Sequence, residues 1–124
     1  MNPYVVIDIG GTSIKYGLAD ANGQLLETHE MPTEAQKGGP HILNTTKEIV
    51  ARYLKKHPLA GVAISSAGMV DPDKGEIFYA GPQIPNYAGT QFKKEIEETF
   101  QIPCEIENDV NCAGLAEAVS GSGK

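Results

Sequence analysis

The stretch YVVIDIGGTSIKYGLAD, residues 4–20, decides how the fold of this chain begins. Two runs rich in β-branched and aromatic residues, 4–9 and 13–19, lie on either side of the tripeptide GGT at 10–12. Two such runs separated by a short glycine-containing turn are typical of a β-hairpin. A third run, 24–31, follows the turn signal DANG, so the sequence predicts three antiparallel strands in succession.

After these strands, the spacing of apolar residues predicts an alternation of helices and strands. The predicted elements are, in order, a polar and mobile loop over 33–40, a helix over 41–57, a buried strand over 59–68, a turn at 72–75, a short strand over 76–79, a loop over 81–90, a helix over 90–100, a strand over 103–109 and a helix over 110–121. This order predicts an α/β fold with a mixed sheet covered by helices on both faces. It excludes a Rossmann fold, whose first strand leads directly into a helix.

Composition and charge narrow the classes of function. The chain has 124 residues, of which 40% are hydrophobic and 21% charged, as in one globular domain. A net charge of -6 and a single arginine, Arg52, argue against a nucleic-acid surface. No membrane span or signal peptide is visible. Cys104 and Cys112 form no ligand cluster with the histidines, so we expect no zinc site, free thiols and a cytoplasmic location.

The first group of candidate functional residues lies in DIGGTSIK, residues 8–15. Its two glycines can adopt positive φ and expose N–H groups that cradle an anion. Thr12 and Ser13 add hydroxyls, and Lys15 adds a positive charge. Asp8 could hold magnesium through water, because this ion keeps several of its waters. The same pattern fits a plain hairpin with a solvated lysine, and spacing alone does not decide between the two.

The second group lies in EIENDVN, residues 105–111, where a predicted strand enters a predicted helix. In open α/β sheets, ligands bind at the carboxyl ends of strands. Asp109 could there accept a proton from a substrate hydroxyl, and Asn108 could orient that substrate. Asp and Asn are also favoured helix N-caps, and capping is the simpler interpretation of this position taken alone.

The third group is the run of small residues SSAG at 65–68, at the end of the predicted buried strand. Small side chains would let the backbone approach a polar ligand closely. Close packing followed by a turn explains the same residues without any ligand, and alone it is the better explanation.

Together the three groups resemble the N-terminal lobe of the ROK family, which comprises sugar kinases and repressors among the actin-like, hexokinase-like ATPases. The motifs are DIGGTSIK (8–15), GVAISSAGMVD (61–71) and IENDVNCAGLAE (106–117), in the family's order and spacing. The resemblance implies a ribonuclease H-like (actin-like ATPase) lobe. It also implies that a hexose or amino sugar is phosphorylated with ATP and Mg²⁺, usually at the 6-hydroxyl.

The resemblance also implies roles for individual residues. Asp109 matches the catalytic base, and Asn108 matches a sugar contact. Gly68 and Met69 match the loop that lines the sugar pocket. The residues that match the phosphate segment are Asp8, Gly10, Gly11, Thr12 and Lys15, with Asp8 near the magnesium ion through water.

The chain departs from the family pattern in two ways. Ala67 stands where a proline is common, and QIPNY (83–87) replaces Asn-Leu-Pro-Gly-Trp, which leaves the identity of the sugar open. Family members also carry a second lobe with the adenosine pocket. We therefore expect residues 1–119 to form one lobe, residues 120–124 to be a hinge or linker, and the chain alone to be inactive. A homodimer is compatible with this organisation.

Two other functions stay open at this point: a sugar-sensing module of a ROK repressor and an actin-like interaction protein. Repressors carry a helix-turn-helix domain ahead of this lobe, and the segment before Asp8 is too short for one. The acidic net charge also disfavours DNA. Asp109 argues against a pure scaffold, which needs no base at that position.

Overall fold

Two sheets and two α-helices make up the described part of the chain. The computed structural model describes residues 2–20, 22, 24–56, 58–66, 69–71, 76–79, 86–87 and 89–108. The strands are β1 (Tyr4–Ile9), β2 (Ser13–Ala19), β3 (Leu25–Pro32), β4 (Gly61–Ser66), β5 (Met69–Asp71), β6 (Glu76–Tyr79) and β7 (Cys104–Asn108). The helices are α1 (Gly39–Leu54) and α2 (Phe92–Phe100), and a short 3-10 helix spans Ala35–Lys37.

The larger sheet has the strand order β3-β2-β1-β4-β7. Strands β1, β2 and β3 are antiparallel neighbours, whereas β4 runs parallel to β1 and β7 runs parallel to β4. The predicted mixed sheet with an antiparallel start is therefore confirmed. Strands β5 and β6 form a separate antiparallel pair. The sequence predicted β6 but not β5, because three residues are too few to establish an alternating pattern.

The hydrophobic core lies between one face of the larger sheet and the two helices. Alternate residues of β1, namely Val5, Ile7 and Ile9, are buried in this core. The helices contribute Ile42, Ile49, Val50 and Tyr53 from α1 and Phe92 and Ile96 from α2. The helix predicted over 110–121 lies outside the described residues. Neither of the described helices combines the length and the apolar character that a membrane crossing requires.

The segment 33–40 differs most from its prediction as a mobile loop. Its first residue, Thr33, is buried, the 3-10 helix follows, and α1 already begins at Gly39. Pro40 lies in the first turn of α1, where its restricted φ suits a helix. A Cβ on Gly39 would come within 2.2 Å of the carbonyl oxygen of Asn86, so the start of α1 packs directly on the loop before α2.

Strand β2 contains a second glycine that packing requires. A Cβ on Gly17 would lie 1.9 Å from the carbonyl oxygen of Glu27 in β3. The two backbones therefore approach more closely than any side chain allows, next to a register shift between Leu18 and Ala19. A side chain at position 17 would therefore push β3 away from β2.

Candidate functional site

The parallel strands β1, β4 and β7 have their C-terminal ends side by side in the larger sheet. In register, Ile9 of β1 lies beside Ser66 of β4, and Ser66 lies beside Asn108 of β7. Neighbouring strands are about 4.8 Å apart, so the ends of β1 and β7 are about 10 Å apart. The predicted phosphate segment leaves the sheet after Ile9. Asp109 lies outside the described residues, but in the sequence it follows Asn108.

The turn between β1 and β2, residues 10–13, is here called the phosphate turn. Gly10 N donates to Ser13 O at 2.9 Å, and Gly11 and Thr12 are exposed at its tip. Gly10 and Gly11 do not use the positive φ that glycine can adopt: in the described residues only Gly38 and Gly89 among the glycines have it. The hydrogen-bonded closure is reached without it.

The two glycines of this turn have different steric surroundings. A Cβ on Gly10 would lie 3.0 Å from Ser13 O, so the closed turn leaves little room for a side chain there. A Cβ on Gly11 would meet nothing within 4 Å. The space into which a side chain at position 11 would project is therefore open.

Thr33, which lies outside the DIGGTSIK motif, forms hydrogen bonds with the backbone of the phosphate turn. Thr33 Oγ1 donates to Gly10 O at 2.8 Å, and Thr33 N donates to Thr12 O at 3.0 Å. The Thr33 residue is only 1% exposed. Sequence reasoning missed it, because a single threonine after the Met-Pro of β3 carries no periodic signal.

Polar residues form a row across four strands of the larger sheet. Ser65 of β4 pairs with Asp8 of β1, Asp8 pairs with Lys15 of β2, and Lys15 pairs with Glu30 of β3. Since Ile7 and Ile9 face the helices, this row lies on the opposite face. Asp8, Lys15 and Glu30 line an open concavity of about 600 Å³ there, together with Val6 and residues of β2 and β3.

Asp8 is the one carboxylate that the sequence proposed for magnesium. Ser65 Oγ donates to Asp8 Oδ1 at 3.0 Å, and in the described part of the chain no donor reaches Oδ2. A single half-buried carboxylate with one available oxygen suits Mg²⁺, which binds few protein ligands and keeps waters or phosphate oxygens. Among the described residues, no group of three or more His, Cys, Asp and Glu side chains could hold a metal ion.

The end of β4 is held from the other side of the sheet by Tyr87. Its hydroxyl forms a short hydrogen bond with Ser66 Oγ, and both side chains are buried. Burial raises the pKa of the Tyr87 hydroxyl, which the hydrogen bond with Ser66 lowers in part, so the group stays neutral. The ring packs edge-on against Phe92, and Thr90 Oγ1 donates to Tyr87 O at 2.6 Å.

Lys93 of α2 connects this helix to the start of β7 through hydrogen bonds. Lys93 Nζ donates to Cys104 O at 2.8 Å and to Glu105 Oε1 at 2.9 Å. Glu97 Oε2 accepts from Lys93 Nζ at 3.2 Å and from Cys104 N at 3.0 Å. Burial lowers the pKa of Lys93, but the hydrogen bonds to Glu105 and Glu97 raise it more, so the ammonium stays charged. This cluster fixes the start of β7 on α2, and the register of β7 with β4 then places Asn108 beside Ser66.

The thiol of Cys104 takes no part in the candidate chemistry. It is buried, and burial raises its pKa, so the thiolate that a nucleophile needs is disfavoured. The sequence reached the same assignment of a free thiol for this residue.

The predicted site residues fall into two groups. Asp8, Gly10, Gly11, Thr12 and Lys15 lie together in the β1–β2 hairpin. Asn108 is the last residue of β7, and Met69 is the first residue of β5. Gly68 and Asp109 lie outside the described residues. The described structure therefore brings together the residues predicted to bind phosphate, and it places Asn108 two strands away from β1.

Comparison with known proteins gives consistent matches. The profile of the ROK family matches residues 4–124. An uncharacterised protein of Clostridium perfringens is 52% identical over 124 residues, which are 100% of this chain and 42% of that protein. The β-glucoside kinase of Klebsiella pneumoniae is 36% identical over 115 residues, which cover 92% of this chain and 37% of the kinase.

A solved structure agrees with these matches. The ROK family glucokinase from Streptomyces griseus, in complex with glucose and AMPPNP, superposes with a TM-score of 0.75 at 30% identity. The match covers 98% of this chain and 38% of that one. This chain therefore spans about two fifths of the length of each of these three proteins.

Proposed function

Because this chain belongs to the ROK family, we propose that it is the N-terminal lobe of an ATP-dependent sugar kinase. The enzyme would transfer a phosphoryl group to a hydroxyl, the 6-hydroxyl in our proposal, of a hexose or an amino sugar. The observation that carries this proposal is the arrangement of the C-terminal strand ends. The phosphate turn follows β1 and Asn108 ends β7, two strands apart at the same end of the sheet. The β-glucoside kinase and the glucokinase bound to glucose and AMPPNP support the same class of substrate and ATP as donor.

On the phosphate side, the hairpin supplies donors and charge to the transferring group. Gly11 and Thr12, whose N–H and hydroxyl would donate to the phosphate, are exposed at the tip of the phosphate turn. Lys15 would neutralise phosphate charge, and Asp8 would hold the waters of Mg²⁺. The ion, when bound, would neutralise the phosphate oxygens. Phosphoryl transfer depends mostly on such positioning and charge stabilisation.

On the sugar side, Asp109 would accept the proton of the attacking hydroxyl, and Asn108 would orient the sugar ring. Gly68 and Met69 would line the sugar pocket. The separation of about 10 Å between the ends of β1 and β7 leaves space for a sugar hydroxyl and a phosphoryl group in line. A positioned general base contributes about 10²–10⁴-fold to the rate of such a step.

We propose further that the adenosine pocket belongs to a second lobe. The matched proteins extend well beyond the part that this chain covers. The 124 residues are then expected to show no turnover alone. A homodimer is compatible with this arrangement.

The test is a chimera in which this chain replaces the matching part of the Clostridium perfringens relative, the protein 52% identical to it. ADP release from Mg-ATP is measured across hexoses and amino sugars, with the β-glucoside kinase as the assay's positive control. Sugar-dependent release is expected, and Asp109→Asn should lower kcat by about 10²–10⁴-fold.

The matched control is Asp20→Asn, just after the end of β2 that lies away from the phosphate turn. Asp20 Oδ1 accepts from Asn22 N and Gln24 N, and no phosphate residue lies nearby in register. Its kcat is expected to equal that of the unmodified chimera. Full activity of Asp109→Asn would remove Asp109 from the role of base. Sugar binding in calorimetry without any turnover, in chimera and relative alike, would favour the sugar-sensing alternative.

A further inference from the structure

We propose that Thr33 is a positioning residue that sets the orientation of the phosphate turn, although it lies outside every motif that resembles the family. Its kinetic consequence rests on the proposed kinase function, and its structural consequence does not. The side chain and the backbone of this one residue bind two carbonyls, Gly10 O and Thr12 O, which flank Gly11.

The position of Thr33 follows from the way β3 ends. Pro32 pairs with Ser13 at the last register position of β2 and β3. A proline has no N–H, so it cannot donate to the neighbouring strand. Thr33 comes next in the chain and donates with both its N–H and its hydroxyl, which extends the pairing one step into the turn.

The hydroxyl of Thr33 orients the peptide group that would meet the phosphate. Gly10 O accepts from Thr33 Oγ1, so this carbonyl points toward Thr33. The C=O and N–H of a planar trans peptide point in opposite directions, so the N–H of Gly11 points away from Thr33. Among the described residues, this N–H donates to no acceptor, and a Cβ on Gly11 would meet nothing within 4 Å.

Two substitutions separate the hydroxyl from the rest of the residue. Thr33→Val preserves the branched shape and the backbone N–H, but it removes the donor to Gly10 O. Thr33→Ser restores that donor. The control is Thr46→Val, since Thr46 is equally buried and its Oγ1 donates to a backbone carbonyl, Ile42 O, at 2.9 Å within α1.

The kinetic measurement is made in the chimera described above. Thr33→Val is expected to lower kcat/KM for Mg-ATP about threefold to tenfold, the effect of one lost hydrogen bond. The KM for the sugar should change less than twofold, because Asn108 belongs to another strand. Thr33→Ser should be close to the unmodified chimera, and Thr46→Val should leave both KM values unchanged. Equal losses for ATP and sugar, or no loss for ATP, would overturn the proposal.

A second measurement does not depend on turnover. Amide hydrogen exchange in the peptide covering residues 8–15 is compared among the same variants by mass spectrometry. Thr33→Val should accelerate exchange there, whereas Thr46→Val and Thr33→Ser should not. An inactive parent chimera with this exchange pattern would contradict the proposed function but support the role of Thr33. Unchanged exchange in Thr33→Val would overturn that role.

Discussion

Strands β3 and β4 belong to the same sheet, yet they reverse the usual relation between polarity and burial. In β3, Leu25 is 48% exposed and Leu26 is 57% exposed. In β4, Ser65 is 1% exposed and Ser66 is 0% exposed. The difference follows from strand order, because β3 is an edge strand whereas β4 lies between β1 and β7.

The comparison teaches how polar groups are kept in the centre of this sheet. A buried hydroxyl costs free energy unless it has a hydrogen-bond partner. Ser65 has Asp8 as partner, and Ser66 has Tyr87. The central strand therefore carries polar side chains to the candidate site at little cost. At the edge strand, Thr33 binds the phosphate turn just after the strand ends.

The largest expected effect comes from truncating one apolar residue in each strand. Ile64 in β4 is fully buried in the core, so Ile64→Ala should lower the free energy of unfolding by about 2–5 kcal/mol. Leu25→Ala in β3 should change it by less than about 0.5 kcal/mol. Urea unfolding of both variants measures the difference. Similar losses would mean that β3 is covered in solution, and the contrast between the strands would fail.

An intermediate effect is expected from the hydroxyl that binds the end of β4. Tyr87→Phe keeps the ring on Phe92 but removes the hydrogen bond to Ser66, and it should lower the free energy of unfolding by about 1 kcal/mol. In the control Tyr16→Phe, the lost hydroxyl accepts a hydrogen bond from Arg52 at 3.4 Å on the surface. That variant should lose less than about 0.5 kcal/mol. Thermal unfolding that ranks the two variants the other way would contradict the assignment.

The smallest effect concerns pH and the edge strand. Hydrogen bonds from His29 and then Tyr53 hold the pKa of Glu27 in β3 below its ordinary value of 4.5, with a smaller contribution from the charge of Lys56. A lowered carboxyl pKa stabilises the fold above the unfolded-state pKa, and this stabilisation is lost as the pH falls through the folded-state pKa.

The measurement is urea unfolding of Glu27→Gln at pH 7 and pH 3. Because the Glu27–His29 pair is exposed and screened, the variant should lose only about 0.5 kcal/mol at pH 7, and this difference from the unmodified chain should be smaller at pH 3. The control is Glu98→Gln, an exposed glutamate on α2, which should show no such gap. A gap that grows toward acid pH would refute the role of Glu27.

The sequence alone was sufficient for the elements whose signals are local. The bounds of β1 and β2 agree with the runs 4–9 and 13–19, and α2 lies within the helix predicted over 90–100. The grouping of Asp8 with Lys15 followed from the hairpin, since a short turn makes the two strands pair. Period and turn chemistry act between near neighbours, so a sequence pattern records them directly.

Only the tertiary structure decided which residues support the candidate site. Thr33 contacts Gly10 across 23 positions, and Ser65 contacts Asp8 across 57. These hydrogen bonds depend on the order in which strands assemble and on the residue at which β3 ends. No local period encodes either, because each bond joins groups that become neighbours only when the sheet has formed. Local motifs therefore identify the candidate residues, whereas the folded sheet determines how those residues are positioned.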